Sequence, residues 1–69
     1  MGKYYFLFVY QYDAWHAEFG DSSKAVVQEE RDDYRAHHKA KHLRIETFDK
    51  SATARDVFDR VASLNAVAA

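Results

Sequence analysis

The chain has 69 residues and no cysteine, which limits it to one small domain and excludes disulfides and cysteine-ligated zinc. Its formal net charge of −1 gives no overall field that would attract nucleic acid or an anionic membrane, and its hydrophobic content of 48% favours a folded chain. Because so small a core usually needs supplementing, we expect a single domain, 1–69 with a frayed tail at 66–69, that forms a homodimer.

The segment Tyr4–Tyr12 carries the clearest secondary-structure signal. It is rich in aromatic and β-branched residues and contains neither glycine nor proline, which predicts a β-strand. Alternation divides its side chains between two faces. One face carries Tyr4, Phe6, Phe8, Tyr10 and Tyr12, and the other carries Tyr5, Leu7, Val9 and Gln11. Because both faces are largely apolar, we expect both to be covered.

The next residues predict a weaker strand and then a helix. Trp15, Ala17 and Phe19 alternate with polar residues, which indicates a short strand that pairs back as a hairpin. The turn lacks Asn-Gly or Asp-Gly, so an irregular loop that buries Trp15 is the alternative. The break at 20–23 contains helix-capping Asp and Ser, and the helix predicted from Lys24 has only a thin apolar stripe.

The last third of the chain predicts a strand at His42–Phe48 and a second helix. Thr53 and Asp56 have the spacing of a capping box, and Asn65 is a reasonable helix end. The apolar stripe of this helix consists of Ala54, Val57, Phe58, Val61 and Leu64. We expect the buried core to contain Leu7, Phe8, Val9, Ile45, Phe58 and Val61.

The element order β-(β)-α-β-α predicts a small α/β (α+β) domain. We expect a two-layer sandwich of two or three strands with two helices on one face. The helix between the first and last strands allows those strands to pair in parallel through a right-handed crossover. The aromatic face would then lack a cover from its own chain. A second subunit would cover it, or Trp15 and Phe19 would fold back over it and leave a monomer.

The aromatic residues are the first candidate binding site. Tyrosine and tryptophan are enriched at protein interfaces, although aromatic residues in so small a domain also serve as core. The candidate partner-binding residues are Tyr4, Phe6, Tyr10, Tyr12 and Trp15.

The segment 35–44 is the second candidate site, because no acid interrupts its basic residues. If the chain binds nucleic acid instead of a protein, the binding residues in this segment are Arg35, Lys39, Lys41 and Arg44. Acidic residues precede the segment, however, so complementarity to the helix dipole explains the same pattern. We therefore expect no specific nucleic-acid binding at physiological salt.

Neither the histidines nor the residue types used in catalysis predict a metal site or an active site. Asp33 and His37, and also His38 and His42, are four residues apart, which would place each pair on one side of a helix that extended so far. A solvated polar face explains these histidines equally well, so we assign no metal site. No spacing links a nucleophile to a base, and so short a chain leaves little room for a pocket of about 300 Å³ or more.

Together these observations predict a non-enzymatic protein-binding module without a cofactor. Small domains of this kind serve as inhibitors or adaptors, such as those that bacteriophages encode. The absence of cysteine favours the cytoplasm, and no apolar run is long enough to cross a bilayer. Nucleic-acid binding through the aromatic strand and the basic segment is the alternative function.

Overall fold

The computed structural model describes residues 2–68. The chain forms strands β1 (Lys3–Gln11) and β2 (Ala14–Asp21), helix α1 (Lys24–Tyr34), a short 3₁₀ turn (Ala40–His42), strand β3 (Leu43–Asp49) and helix α2 (Ala54–Ala68). The predicted class and element order are confirmed, because this is a small α+β fold with a three-stranded sheet and two helices. No helix within residues 2–68 is long and apolar enough to cross a membrane.

The sheet has the strand order β2-β1-β3, with β1 in the centre. The hairpin of β1 and β2 is also confirmed. The parallel pairing expected for the first and last strands is wrong, since β3 runs antiparallel to β1. The reason is that β2 is a full strand and reverses the chain direction. The crossover through α1 therefore makes β3 parallel to β2, two positions away in the sheet.

Helix α1 packs against the face of β1 that carries Leu7 and Val9. Its first turn is capped by Ser23, whose Oγ accepts a hydrogen bond from the Val26 amide at 3.4 Å. The apolar core on this face comprises Leu7, Val9, Val27 and Leu43. Tyr34 closes the end of the helix against this core, and burial raises the pKa of its hydroxyl above 10.0, with a smaller contribution from Glu18 and Glu30.

Helix α1 is shorter than the run of helix-forming residues suggests. It ends at Tyr34, and the amides of His37 and His38 both donate to the Tyr34 carbonyl at 3.0 Å as the chain turns away. The helix that would have paired Asp33 with His37, or His38 with His42, is therefore absent at those positions. Within residues 2–68 no group of three or more metal-ligating side chains comes together.

Helix α2 lies against the other face of the sheet. The predicted capping box is present, since the Thr53 amide donates to the Asp56 carboxylate at 2.8 Å and the Asp56 amide donates to the Thr53 hydroxyl at 3.3 Å. Farther along α2, the Arg60 guanidinium lies 4.4 Å from the Phe48 ring centroid. Phe48 belongs to the face opposite Leu7 and Val9, because its partner Tyr4 is an even-numbered residue of β1.

The helices therefore differ in one detail from the predicted sandwich, because they lie on opposite faces of the sheet and not on one face. The dimensions of the molecule agree with a helix–sheet–helix stack, measuring 33 × 27 × 13 Å. The shortest dimension fits three strands about 4.8 Å apart, and 27 Å leaves room for a helix on each side. The aromatic face consequently has a cover from its own chain, contrary to expectation.

The predicted core is confirmed for Leu7, Phe8 and Val9, which are fully buried. Ile45 and Val61 are only half-buried, and the prediction for Phe58 is wrong, since this side chain is 69% exposed. Helix α2 also continues past the predicted end at Asn65 as far as Ala68. Residues 66–68 of the tail expected to fray are therefore helical, and Ala69 lies outside the described residues.

Candidate partner-binding surface

Three aromatic rings meet where β1 ends and β2 begins. The Tyr10 ring lies 5.5 Å from Trp15 and 5.3 Å from His42, measured between centroids. The Arg44 guanidinium lies over Trp15, 5.8 Å from its ring centroid. We call Tyr10, Tyr12, Trp15, His42 and Arg44 the aromatic end of the sheet. Tyr10, Trp15 and His42 are each half-buried, so their rings stay partly accessible while their neighbours hold them in place.

The side chain of Asn65 fixes the backbone of Trp15. The Trp15 amide donates to Asn65 Oδ1 at 2.6 Å, and Asn65 Nδ2 donates to the Trp15 carbonyl at 3.3 Å. The planar amide therefore binds Trp15 as a neighbouring strand would. Asn65 therefore does not end α2, since its side chain is engaged at the edge of β2 instead of competing for its own helix backbone.

Tyr12 projects from the tip of the hairpin. Tyr12 and Asp13 form a two-residue turn, and both have positive φ, at 55° and 62°. A turn of this kind suits glycine, asparagine or aspartate, because a bulky side chain is disfavoured in the left-handed region. Asp13 meets this requirement, but Tyr12 does not. The tyrosine side chain is 88% exposed, so burial does not offset the backbone strain.

A charged cluster ties α2 to β3 beside the aromatic end. Glu46 accepts bonds from Arg44 Nε and from a terminal nitrogen of Arg60, each at 2.6 Å. Only 12% of the Glu46 side chain is exposed, so both cations lie close to a carboxylate largely removed from water. Glu46 therefore orients Arg44, whose guanidinium also lies over Trp15.

Tyr4 and Phe6 belong to a separate group at the opposite end of β1. The Phe6 ring packs 5.2 Å from Tyr4 and edge-on against Phe48, at 5.6 Å between centroids. The Phe6 ring also lies against Gly20. A Cβ atom at that position would be only 2.6 Å from the ring, too close for any larger residue without a shift of the ring. These rings and Val57 line an open groove of about 320 Å³. The predicted aromatic residues thus form two surfaces and not one.

The clefts are larger than the chain length suggested. Besides the aromatic groove, a polar cleft of about 550 Å³ lies between β3 and α2. Its charged lining includes Asp49, Asp56, Asp59 and Arg60. Expecting little room for a pocket above about 300 Å³ was therefore wrong. The carboxylates face an open cleft, and Asp56 already serves as the helix cap.

The candidate nucleic-acid residues have different environments. Arg35, Lys39 and Lys41 are exposed along the connection between α1 and β3. Arg44 lies instead on the sheet face, bonded to Glu46. The basic segment therefore has fewer free cations than its sequence suggests.

No protein-family model, no curated protein and no solved structure matches this chain. Its own surfaces are therefore the only indication of its function. Sequence reasoning identified Tyr10, Tyr12 and Trp15 but missed His42 as part of the same surface and Asn65 as the residue that fixes Trp15. Their spacing in the chain gave no signal, because both residues reach the aromatic end only through tertiary packing.

Proposed function

We propose that this chain is a small non-enzymatic protein-binding module that contacts its partner through the aromatic end. The supporting observation is the combination at Tyr12 of high exposure and an unfavourable backbone conformation. Folding alone favours asparagine or glycine at this position, so the tyrosine has no explanation in the stability of the hairpin. Strain of this kind in native proteins concentrates at binding and catalytic sites.

The composition of the surface supports a protein partner. Tyrosine, tryptophan and arginine are the residues that most often dominate the binding energy of protein interfaces. Here Tyr10, Trp15 and Arg44 are already held by neighbouring groups, so binding would order few additional side chains. Tyr12 would act as the projecting anchor, inserted into a concave site on the partner. An inhibitor or adaptor of the kind that bacteriophages encode, acting in the cytoplasm as a homodimer, fits this mode of action.

The test compares two exposed aromatic residues. Tyr12→Asn removes the anchor while suiting the turn, and should raise the free energy of unfolding by about 0.5–1 kcal/mol. We expect this more stable variant to lose the protein that the wild-type chain captures from host lysate. Phe58→Asn, at another exposed aromatic position, should retain it. Retention by Tyr12→Asn, or equal loss with both variants, would show that the aromatic end is not the contact surface.

The same experiment separates the nucleic-acid alternative. Capture that disappears after nuclease treatment would indicate a nucleic-acid partner, and Lys39→Ala with Lys41→Ala should then abolish oligonucleotide binding at about 150 mM salt. We expect capture to survive nuclease treatment and the double variant to behave as wild type, because Arg44 is bonded to Glu46 and the net charge is −1.

A further inference from the structure

The two outer strands of the sheet differ in how their edges are protected. The β2 edge carries a bulge, since Leu7 pairs with Phe19 while Phe8 pairs with Ala17, which leaves Glu18 without a pairing residue. Asn65 also occupies the backbone groups of Trp15 on this strand. Bulges and covering groups are common devices that prevent a strand edge from pairing with another chain. Strand β3, by contrast, pairs with β1 without any register shift, so its edge has no bulge of this kind.

The hydrogen-bonding pattern shows which backbone groups of β3 face outward. The pair Gln11 and Ala14 closes a two-residue turn, so the odd-numbered residues at this end of β1 bond to β2. Even-numbered residues of β1 then bond to β3, where Phe8 pairs with Arg44. The backbone groups of Ile45 and Thr47 consequently point away from the sheet. Within residues 2–68 no hydrogen bond from a turn, cap or side chain reaches them.

We propose that a second copy of this chain pairs its β3 with this edge, antiparallel and about a two-fold axis at Ile45. The result is a continuous sheet of six strands, three from each copy. This interface rests on the homodimer included in the proposed function, and Arg44 is the one residue that it shares with the aromatic end. A two-fold contact requires a self-complementary edge, and the side chains of β3 meet that requirement.

The charges of β3 select the register. With Ile45 opposite the partner's Ile45, Arg44 lies opposite the partner's Glu46, and the same pair recurs on the other side of the axis. Arg44 and Glu46 are already bonded within each chain, so this register brings two ion-paired clusters together without opposing like charges. Shifting the axis to Glu46 would place that residue opposite the partner's Glu46, and like charges in directly opposed positions are destabilising. On the other face of the sheet, the register at Ile45 opposes two β-branched side chains and places Leu43 opposite the partner's Thr47.

The free backbone groups also fit this register. The two Ile45 residues exchange N–H···O=C bonds, and each Thr47 amide reaches the partner's Leu43 carbonyl. The Leu43 amide is not needed, since it already donates to the Ala40 carbonyl of its own chain. Pairing through β3 thus uses outward-facing groups without breaking bonds of the single chain.

Sedimentation equilibrium of the purified chain provides the first test. We expect a mass near twice 8.0 kDa at micromolar concentration. Thr47→Pro removes an outward-facing amide, a change that an edge strand tolerates, and should weaken dimerisation by about 10- to 100-fold while circular dichroism shows a folded chain. Thr47→Val keeps the amide and should remain dimeric. A wild-type monomer at high concentration, or an undiminished dimer of Thr47→Pro, would overturn the interface.

Because the natural chain has no cysteine, single cysteines report the register directly. Opposed residues in a hydrogen-bonded antiparallel pair have Cα atoms about 5.5 Å apart, within disulfide range. We expect Ile45→Cys to oxidise to a covalent dimer and Glu46→Cys to remain reduced under the same conditions. Cross-linking of Glu46→Cys alone would contradict the register. Partner capture by monomeric Thr47→Pro tests the aromatic end separately. Either proposal, partner binding at the aromatic end or dimerisation through β3, can therefore be refuted without the other.

Discussion

Helices α1 and α2 cover opposite faces of the same sheet by different means. Helix α1 contributes one fully buried side chain, Val27, to a compact aliphatic core. Helix α2 contributes no fully buried residue among the positions whose burial is described, 54–67. It is held by the half-buried Val57, Val61 and Leu64 together with two polar contacts, from Arg60 to Glu46 and from Asn65 to Trp15. Yet α2 has the stronger apolar stripe in sequence.

An apolar stripe therefore predicts a helix but not how deeply that helix packs. The sheet face under α1 consists mainly of Leu7, Val9 and Leu43, which let a helix approach closely. The face under α2 carries phenylalanine rings, of which Phe8 and Phe48 are buried. A sheet of three strands is narrow, so the flank of α2 that carries Phe58 remains in solvent. We therefore expect α2 to open more readily than α1.

The largest contrast is expected between Leu7→Ala and Phe58→Ala. Leu7 is fully buried, so its truncation should cost about 2–5 kcal/mol, which is comparable to the whole stability of so small a domain. Phe58→Ala should change the free energy of unfolding by no more than about 0.5 kcal/mol, because the ring is exposed. Urea unfolding measures both values. Similar losses in the two variants would mean that Phe58 packs in solution and that the two faces of the sheet are covered to a similar depth.

A smaller effect is expected from removing the contact between Asn65 and Trp15. Asn65→Ala leaves a partly buried amide and carbonyl without their partner, which should cost about 1–3 kcal/mol. Asn65→Asp keeps an acceptor for the Trp15 amide but loses the donor to its carbonyl, so its cost should differ from that of alanine. If Asn65→Ala unfolds at the same urea concentration as wild type, this contact does not hold α2 to the sheet.

Much of the fold was predictable because the signals are local. The alternation in β1, the Ser23 cap and the Thr53–Asp56 capping box each involve neighbouring residues, and each is present in the structure. The direction of β3 and the face chosen by α2 were not predictable in this way. The direction of β3 follows from the hairpin of β1 and β2, since one added strand reverses the chain before β3. The face covered by α2 depends on tertiary contacts such as that between Asn65 and Trp15.

The candidate site was predictable only as a list of aromatic residues. Sequence alternation put Tyr4, Phe6, Tyr10 and Tyr12 on one face, but it carried no information about where α2 would cross that face. The helix and β3 divide the aromatic residues into a groove and the aromatic end. The exposed position of Tyr12 depends on a turn whose residues are unusual for its type, which local sequence rules do not anticipate.

The smallest expected effect concerns the other polar contact of α2. Arg60→Ala removes a half-exposed ion pair to Glu46 and the stacking on Phe48, and should cost about 1 kcal/mol. Arg55→Ala is the matched control, because its pair with Asp59 is 3.8 Å long and well exposed, and its loss should cost no more than about 0.5 kcal/mol. Hydrogen exchange should show faster exchange of α2 amides in Arg60→Ala, with α1 amides unchanged. Equal acceleration in both helices would mean that the two faces of the sheet unfold as one unit, and the difference in packing between α1 and α2 would then have no counterpart in stability.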